Sequence, residues 1–451
     1  MRKILALAAV VVLALLALVV AMRGTIRNAA ESYAYGYPLV LMDVTRDAFE
    51  ATRGPRNELF NVAVFPDASF REVVRPNVDT LYSIAWIDLA EGPRVFEVPA
   101  TDRYYVMQFL DGWTDVFASI GPRTTGQGAG AFLIAGPDWH GPVPAGTALL
   151  RSPTRIAWLI GRIQTNGVDD YPFVRNLQSQ LRLRSLDDFI ADRVPAPSTW
   201  QRAAVTPEPP LFQMRAMGAD SFFSRLARLL EDNPPAPADQ AALAKLAALG
   251  VRPGHPPTNW NWLDRSAVSI GMWIADRRMR QAAEHPQSLH DGWTAPPMNI
   301  GAYGTEYGLR AVVAMAGLGA NLPADAVYPN AQFDADGQPL DGSKRYVLHF
   351  PPGAVPPVKA FWSITAYDAD GYLIANELDR YALGDRDPLK FNADGSLDLY
   401  VQADAPAEAL LANWLPISAQ GPARITARLY WPGQPILDGS WRMPGLRRVA
   451  N

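Results

Sequence analysis

Apolar and polar residues alternate with a period of two in two stretches of the chain, and a stretch between them repeats with the period of a helix. The first alternating stretch predicts strands at residues 81–89, 95–98, 103–110, 132–135 and 156–163. The second, after residue 321, predicts strands at 345–350, 359–367, 397–403 and 424–431. Glycine–proline turns interrupt both stretches, as is typical of sandwiches and barrels.

Helical periodicity and proline-rich breaks account for most of the remaining chain. Helices are predicted at residues 29–50, 169–181, 219–232, 238–249, 264–283, 305–318 and 406–413. Together the elements predict a β-rich α+β fold, with two β-sandwich (jelly-roll-like) domains, a helical middle segment and an N-terminal hydrophobic helix. We expect an N-terminal signal or anchor, an N-terminal β-rich domain, a helical, proline-rich segment and a C-terminal β-sandwich domain at residues 1–28, 29–190, 191–303 and 304–451, respectively.

The first 28 residues carry the marks of export. Arg2 and Lys3 precede nineteen apolar residues at 4–22, a length that suffices to cross a bilayer as a helix. This pattern favours an inner-membrane protein with a single N-terminal anchor through residues 4–22 and its bulk in the periplasm. The alternative is a soluble periplasmic protein, because Ala21 ends a passable signal cleavage site.

Composition narrows the chemistry that the chain can perform. The net charge is −4 and no basic stripe is present, so nucleic acid is not an expected partner. The absence of cysteine excludes disulfides, thiolate nucleophiles and cysteine-ligated metals. The sequence contains no two-histidine zinc motif, nucleophile elbow, phosphate loop or dinucleotide fingerprint. We therefore expect neither metal nor cofactor, and open strand edges would allow a homo-oligomer.

A polar block precedes and enters the strand at 81–89. Asn77, Asp79 and Tyr82 are candidate ligand-binding residues, with Asp79 as a base or acceptor at the mouth of a pocket. The alternative is structural, since an asparagine after a proline readily forms a turn that Asp79 could complete. If the binding interpretation is correct, these side chains and Gln108 line one cavity.

The strand at 103–110 contributes further candidates. Gln108 lies among apolar neighbours, where a buried amide needs hydrogen-bonding partners. Those partners are either a ligand or local structure. Arg103 begins the strand as a candidate ligand-binding residue, and Asp111 ends it as a candidate catalytic residue, because site residues gather at strand ends.

A second polar-aromatic block lies about 280 residues later, in the strand at 359–367. Phe361, Ser363, Thr365 and Tyr367 share one face, on which hydroxyl groups stand beside aromatic rings. Such a face suits a pocket for a partly apolar ligand, although a sandwich strand with one solvated side has the same pattern. Ser363 and Tyr367 are therefore candidate ligand-binding residues, as is Trp362 on the opposite face.

The same block includes arginines that could hold an anion. Arg380, next to Tyr381, and Arg428, next but one to Tyr430, could bind a carboxylate through a guanidinium fork. They could equally pair as structure with Asp368, Asp379 or Asp398. Trp414 completes the set of candidate binding residues.

Several of these residues fall in motifs that resemble a known family. The motifs are Pro76-Asn77-x-Asp79-Thr80-x-Tyr82, Arg103-Tyr104, Gln108, Asp111, Thr124-x-Gly126, Trp362-Ser363, Tyr367, Arg380-Tyr381, Asp394-Gly395-Ser396 and Asn413-Trp414-Leu415-Pro416. Residues 33–183 resemble the bacterial envelope family called domain of unknown function 1254. Residues 304–432 resemble its companion, domain of unknown function 1214, and the two segments cover roughly two thirds of the chain. The resemblance implies two β-rich domains and an exported protein, and it implies no mechanism.

Three hypotheses about function follow. The first is a cell-envelope protein that binds a small, partly apolar or carboxylated ligand in a β-domain pocket. The second is a cofactor-free hydrolase or lyase, with Asp79 or Asp111 as the base and Tyr82 or Tyr367 as the acid. The third is a structural role in envelope assembly. The lack of recognised nucleophile or metal motifs favours the first hypothesis.

Overall fold

The computed structural model of the protein describes residues 2–195, 199–284 and 289–449, with the backbone alone for residues 2–19 and 21. Helix α1 spans Arg2–Thr52 and contains Pro38. In this described part of the chain no helix is long and apolar enough to cross a membrane. The predicted transmembrane helix and inner-membrane anchor are therefore wrong by this finding. Most of the segment on which they rested, residues 4–22, lies outside the described side chains.

The first β region forms two sheets around one apolar core. Its strands are β1 (Phe60–Asn61), β2 (Thr80–Asp88), β3 (Arg94–Val98), β4 (Tyr105–Asp111), β5 (Val116–Ile120), β6 (Gly130–Ala135), β7 (Thr147–Arg151), β8 (Ile156–Gln164) and β9 (Arg182–Ser185). One sheet is antiparallel in the order β1–β2–β8–β4–β5. The other is mixed, in the order β7–β6–β3–β9, with β6 and β7 parallel. Alternate residues such as Leu81, Phe96, Phe109 and Leu159 pack into the core of this region.

The further helices are α2 (Tyr171–Gln178), α3 (Leu186–Ile190), α4 (Pro210–Ala216), α5 (Ala219–Asp232), α6 (Gln240–Ala248), α7 (Trp262–Glu284), α8 (Tyr307–Gly317) and α9 (Gln434–Leu437). Helices α1 and α4 to α8 lie on the outer face of the antiparallel sheet. Helix α2 packs into the core of the first β region, α3 contacts β3 and β9, and α9 packs into the core of the second β region. Shorter 3₁₀ segments lie at Leu89–Glu91, Val168–Asp170, Pro237–Asp239 and Glu408–Asn413. Helices α4 to α8 share one apolar core with α1, and this core reaches Trp86 and Trp158 on the sheet. These two rings stack with centroids 4.9 Å apart.

The second β region also forms two sheets. Its strands are β10 (Leu289–His290), β11 (Trp293–Thr294), β12 (Ala326–Val327), β13 (Asn330–Ala331), β14 (Arg345–Phe350), β15 (Val358–Tyr367), β16 (Ala382–Gly384), β17 (Leu397–Gln402), β18 (Trp414–Pro416), β19 (Arg424–Pro432) and β20 (Leu446–Val449). One sheet runs β10–β11–β13–β19–β15–β16, with β12 also paired to β19, and the other runs β18–β17–β14–β20. Phe350, Trp362, Ile364 and Leu399 belong to the core of this region. The protein is therefore β-rich and of the α+β class.

The two β regions meet directly, and this contact positions the candidate site. One face of β15 and β19 carries side chains from alternate positions: Phe361, Ser363, Thr365 and Tyr367 on β15, and Arg424, Thr426, Arg428 and Tyr430 on β19. This face packs against residues 75–82 and Tyr104 of the first region. We call this contact the domain junction. Both sequence blocks thus lie at one place, although they are far apart along the chain.

Candidate functional site

Asn77 forms a turn and also crosses the domain junction. Its side-chain oxygen accepts a hydrogen bond from the backbone N–H of Asp79 at 2.7 Å, which is the turn that the sequence pattern allowed. Its amide nitrogen donates to the hydroxyl of Tyr430 at 2.8 Å and to that of Tyr82 at 3.3 Å. One side chain therefore fixes the local backbone and connects both β regions.

Asp79 is buried in an ion pair between the two regions. The hydroxyl of Ser363 donates to one carboxylate oxygen at 2.6 Å, and Arg386 pairs with the other. The Arg386 guanidinium also donates to the carbonyl oxygen of Thr165 at 3.0 Å and lies 4.3 Å from the ring centre of Phe361. Both carboxylate oxygens are thus occupied, so Asp79 could act as a base only after this ion pair breaks.

Arg162 is a buried guanidinium on the outer face of β8. It is 6% exposed, and its acceptors are neutral: the side-chain oxygen of Asn321 at 2.8 Å and the carbonyl oxygen of Gly319 at 2.9 Å. Its charge lies 5.2 Å from the ring centre of Tyr82, at a distance typical of a cation–π contact.

Arg428 is a second buried guanidinium with neutral acceptors. It donates to the hydroxyls of Thr365 at 2.7 Å and Tyr367 at 2.6 Å, and to the carbonyl oxygen of Pro76 at 3.3 Å. The hydroxyl of Tyr367 in turn donates to the Pro76 carbonyl at 2.7 Å. Within the described residues, neither Arg428 nor Arg162 forms a salt bridge, so the suggested carboxylate partners of Arg428 are not used. Burying a charge without an oppositely charged partner is costly. The region therefore favours the binding of an anionic or strongly dipolar group.

A small cavity lies beside this charge. Its volume is about 60 Å³, and it is lined by Pro296, Pro297, Met298, Ile300, Ala320, Asn321, Pro323, Ala326, Val327 and Tyr328. Gln108 does not line the cavity itself, but it donates at 3.0 Å to the carbonyl oxygen of Ala320, which does. Asn77, Asp79, Tyr82 and Gln108 are not among the lining residues, so the cavity that these four were predicted to share stays a prediction.

The polar end of the cavity is formed by Asn321 and Tyr328. The Asn321 amide accepts from Arg162 and donates to the hydroxyl of Tyr328 at 2.5 Å. Burial raises the pKa of Tyr328 to about 12, although the charge of Arg162 opposes this, so the phenol is protonated at neutral pH. The Tyr328 hydroxyl also hydrogen-bonds with the hydroxyl of Tyr430. The phenol thus belongs to a polar cluster beside the cavity.

Five further sequence candidates are also absent from the cavity lining. Arg103 pairs with Asp170 through a nitrogen–oxygen contact of 3.1 Å. Trp362 faces the second β core. The Arg380 guanidinium donates to the carbonyl oxygen of Trp414 at 3.0 Å, and the Trp414 indole donates to the Gln402 carbonyl at 2.9 Å. These four side chains support the structure of their own β region.

Asp111, the fifth, lies at the end of β4 in a different environment. Its carboxylate accepts from the backbone N–H groups of Trp113 at 2.8 Å and Asp115 at 3.0 Å. Burial, with a smaller effect of the Asp115 charge, raises the pKa of Asp111 to about 7. Asp115 pairs with Arg310 at 3.2 Å. In the described ranges no three His, Asp or Glu side chains converge in a way that could hold a metal ion.

Sequence reasoning missed Arg162, Arg386, Asn321 and Tyr328. Arg162 was detectable, because it is the only charge in the apolar run from Ile156 to Ile163 and a charge inside a buried strand signals a special role. The other three lie in loops or next to short strands of ordinary polarity, where no periodic pattern distinguishes them.

Two family models match the chain. The one described as "Protein of unknown function (DUF1254)" matches residues 56–185, and the one described as "Protein of unknown function (DUF1214)" matches residues 325–434. The first match includes Asp79 and Arg162, and the second includes Ser363, Tyr328 and Arg428. The domain junction is thus built from residues of both matched segments.

Solved structures resemble the chain over nearly its full length. It is similar to the VPA0106 protein from Vibrio parahaemolyticus, with 26% identity and a TM-score of 0.70 over 94% of this chain and 100% of that one. It is also similar to an uncharacterized protein from Burkholderia cenocepacia, with 16% identity and a TM-score of 0.45 over 96% of each chain. No curated protein matches the sequence.

Proposed function

The chain belongs to the family in which a DUF1254 domain precedes a DUF1214 domain, and from this premise we propose that it binds a small, partly apolar ligand with a carboxylate or carbonyl group. The ligand binds in the cavity beside the domain junction. The observation that carries the proposal is the largely apolar cavity whose lining includes the polar side chains of Asn321 and Tyr328. Apolar walls with a few fixed polar groups are the usual composition of a ligand site.

Charge supports the same assignment. Arg162 holds the Asn321 amide, which in turn contacts Tyr328. An acceptor group placed at Tyr328 would therefore lie near a buried positive charge that no carboxylate neutralises. The positive charge attracts a negative or strongly dipolar group. This attraction is stronger in the low-dielectric interior of a protein than in water.

The cavity volume limits the ligand. At about 60 Å³ it has room for a few non-hydrogen atoms, whereas drug-sized ligands occupy sites of roughly 300–1,000 Å³. The site therefore suits a short-chain acid or the end group of a longer molecule.

We include two finer features in the proposal. Each β region is a sandwich, which is supported by its separate apolar core. The chain acts in the periplasm after cleavage at Ala21, which is supported by its basic start and the apolar run that follows.

One observation favours a second candidate function, an acid–base enzyme. Burial raises the pKa of Asp111 to about 7, and a carboxyl group with such a pKa can both accept and donate a proton at neutral pH. Asp79 is less suited to this role because Arg386 and Ser363 occupy its carboxylate. Turnover of a bound ligand that stops in Asp111→Asn would support this candidate.

Titration calorimetry with acetate, butyrate, hexanoate and benzoate tests the binding proposal. We expect Tyr328→Phe to weaken the best of these ligands by about three- to tenfold, because it removes one hydrogen bond. Tyr400→Phe is the matched control, since it removes a phenol hydroxyl on β17 outside the cavity. Ala326→Val narrows the cavity and should weaken the longest ligand most. Equal affinity of wild type and Tyr328→Phe, or no binding of any acid to the folded wild type, would contradict the proposal.

A further inference from the structure

Arg75 has an unusual backbone conformation at the edge of the domain junction. Its φ angle is 51°, in the left-handed region that side chains other than Asn and Asp rarely adopt. Two contacts hold it there: its N–H donates to the carbonyl oxygen of Gly371 at 2.7 Å, and its own carbonyl accepts from Arg428 at 3.1 Å. Strain of this kind gathers at functional sites, so the position of the Arg75 side chain requires an explanation.

Three arginines lie at this edge, because the Arg75 backbone bonds to Gly371 and Arg428, and Arg424 donates to Ala369 of the same turn. Arg424 and Arg428 lie on the same face of β19, four residues apart. Burial, and then the positive charge of Arg424, lowers the pKa of Arg75, to which Arg428 also contributes. In the described chain, the Arg75 side chain forms no hydrogen bond or salt bridge. Like charges have therefore been brought together without a compensating carboxylate.

The nearby acidic residue does not neutralise this charge. Asp368 follows β15, and its carboxylate accepts from the backbone N–H groups of Asp370 at 3.0 Å and Tyr372 at 2.8 Å. It is thus used to hold the turn that ends in Tyr372. Arg424 donates one N–H to the carbonyl oxygen of Ala369 at 2.8 Å. Its remaining N–H groups have no carboxylate partner among the described residues.

We propose that Arg75 and Arg424 form a binding site for an oxyanion, a carboxylate, phosphate or sulfate group, with Arg428 as the supporting charge behind them. Planar guanidinium forks match the oxygens of such groups and can bind them through paired hydrogen bonds. A bound oxyanion would also remove the repulsion between the three arginines. This would give a role to the strained backbone of Arg75, which keeps an otherwise unpaired arginine beside the turn that Arg424 contacts.

This site is separate from the cavity of the proposed function. Tyr328 lies beside residues 427–429 of β19, because Val327 pairs with Leu429 and the Ala427 N–H donates to the carbonyl oxygen of Pro329. Arg424 lies three to five residues away along the same extended strand, which corresponds to roughly 10–17 Å. The two sites can therefore be disrupted one at a time.

Thermal melting and titration calorimetry with inorganic phosphate, sulfate and acetate, at constant ionic strength, test the oxyanion site. We expect at least one of these anions to raise the melting temperature of the full chain. Arg75→Asn keeps a residue that tolerates the left-handed conformation, and Arg424→Met keeps the strand; each should weaken anion binding at least about tenfold. Without anion, both variants should melt no lower than the wild type, because a repulsive charge has been removed.

Two controls make the result specific. Arg447→Met removes an exposed arginine from β20 and should leave anion binding unchanged. Tyr328→Phe should also leave it unchanged, which separates this site from the cavity. A wild type that is indifferent to all three anions, or variants at Arg75 and Arg424 that bind as the wild type does, would overturn the proposal. The anion that binds best indicates whether phosphate, sulfate or carboxylate is the natural group.

Discussion

The protein stabilises its buried arginines in two different ways. Arg386 pairs with Asp79, and Arg310 pairs with Asp115. Arg162 and Arg428 instead donate to amides, hydroxyls and carbonyl oxygens. Dipoles of neutral groups can solvate a guanidinium, but they leave its net charge in place. The unneutralised pair lies at the domain junction, and both proposed binding sites lie beside it.

Asp111 gives a prediction at the scale of a single residue. Burial raises its pKa to about 7, against about 3.9 in an unfolded chain. Between these values the folded protein keeps a proton that the unfolded chain has lost, so stability falls as pH rises from about 4 to about 7, by at most about 1.4 kcal/mol per pH unit. Asp111→Asn should remove this loss and be more stable than the wild type above pH 7, as measured by urea unfolding.

Asp115→Asn is the matched control for this prediction. Its carboxylate pairs with Arg310 and accepts from the backbone N–H of Tyr303 at 2.8 Å. Removal of that charge should therefore destabilise the protein at neutral pH, where Asp111→Asn stabilises it. The same pH dependence in wild type and Asp111→Asn would show that Asp111 titrates normally.

At the scale of elements, the crossing of α1 and α7 depends on Gly271. A Cβ atom at this position would lie 2.5 Å from the carbonyl oxygen of Ile26 and 2.7 Å from the Cβ of Ala29. Backbone atoms of α1 cannot rotate away as a flexible side chain could. The close packing of the two helices over the first sheet therefore requires a residue without a Cβ atom at position 271.

We expect Gly271→Ala to lower the free energy of unfolding by about 1–3 kcal/mol, because it forces the two helices apart. Gly308→Ala is the control in α8, where an added Cβ meets nothing within 4 Å. That change should be neutral or stabilising by about 0.5–1 kcal/mol, because alanine favours the helix. Urea unfolding monitored by circular dichroism distinguishes the two. Equal stability of the two variants would contradict the close crossing.

Most of these elements could be predicted from the sequence, because their periodicity is local. Helix α5 and strand β14 begin and end at the residues that the pattern indicated. The 406–413 segment is a 3₁₀ helix at 408–413, because short helical segments readily adopt this tighter form. Two-residue strands such as β12 and β13 were missed, since an alternation needs more positions than they offer.

At the scale of the whole molecule, the domain junction is the feature that the sequence could not predict. Alternation showed that Ser363 and Tyr367 share a face of β15, but not what covers it. The cover includes Asp79, 284 residues before Ser363. No local pattern encodes such a pairing, and the resemblance to two separate domains said nothing about their contact. The roles assigned to Asn77, Asp79 and Tyr82 stay predictions, now with their partners known.

The ion pair of Asp79 and Arg386 should stabilise the association of the two β regions. Asp79→Asn keeps an acceptor for Ser363 but leaves Arg386 with only the more distant carboxylate of Asp385, at 4.0 Å, which we expect to cost up to about 3–5 kcal/mol. Calorimetry should then show a lower melting temperature, and a second transition if the regions unfold separately. Asp232→Asn, which removes an exposed partner of Arg155, should cost less than about 1 kcal/mol. A loss that small for Asp79→Asn would argue against a stabilising junction.

The domain junction also determines when the newly made chain can complete its long-range contacts during synthesis. Asn77 receives its partner Tyr430 from a position 353 residues later. At ribosomal speeds of about 5–20 residues per second, the wait is roughly 20–70 s. During that interval Tyr104 and Arg162 have no cover from the second β region. A nascent chain halted before residue 319 should therefore bind chaperones that the finished protein no longer attracts.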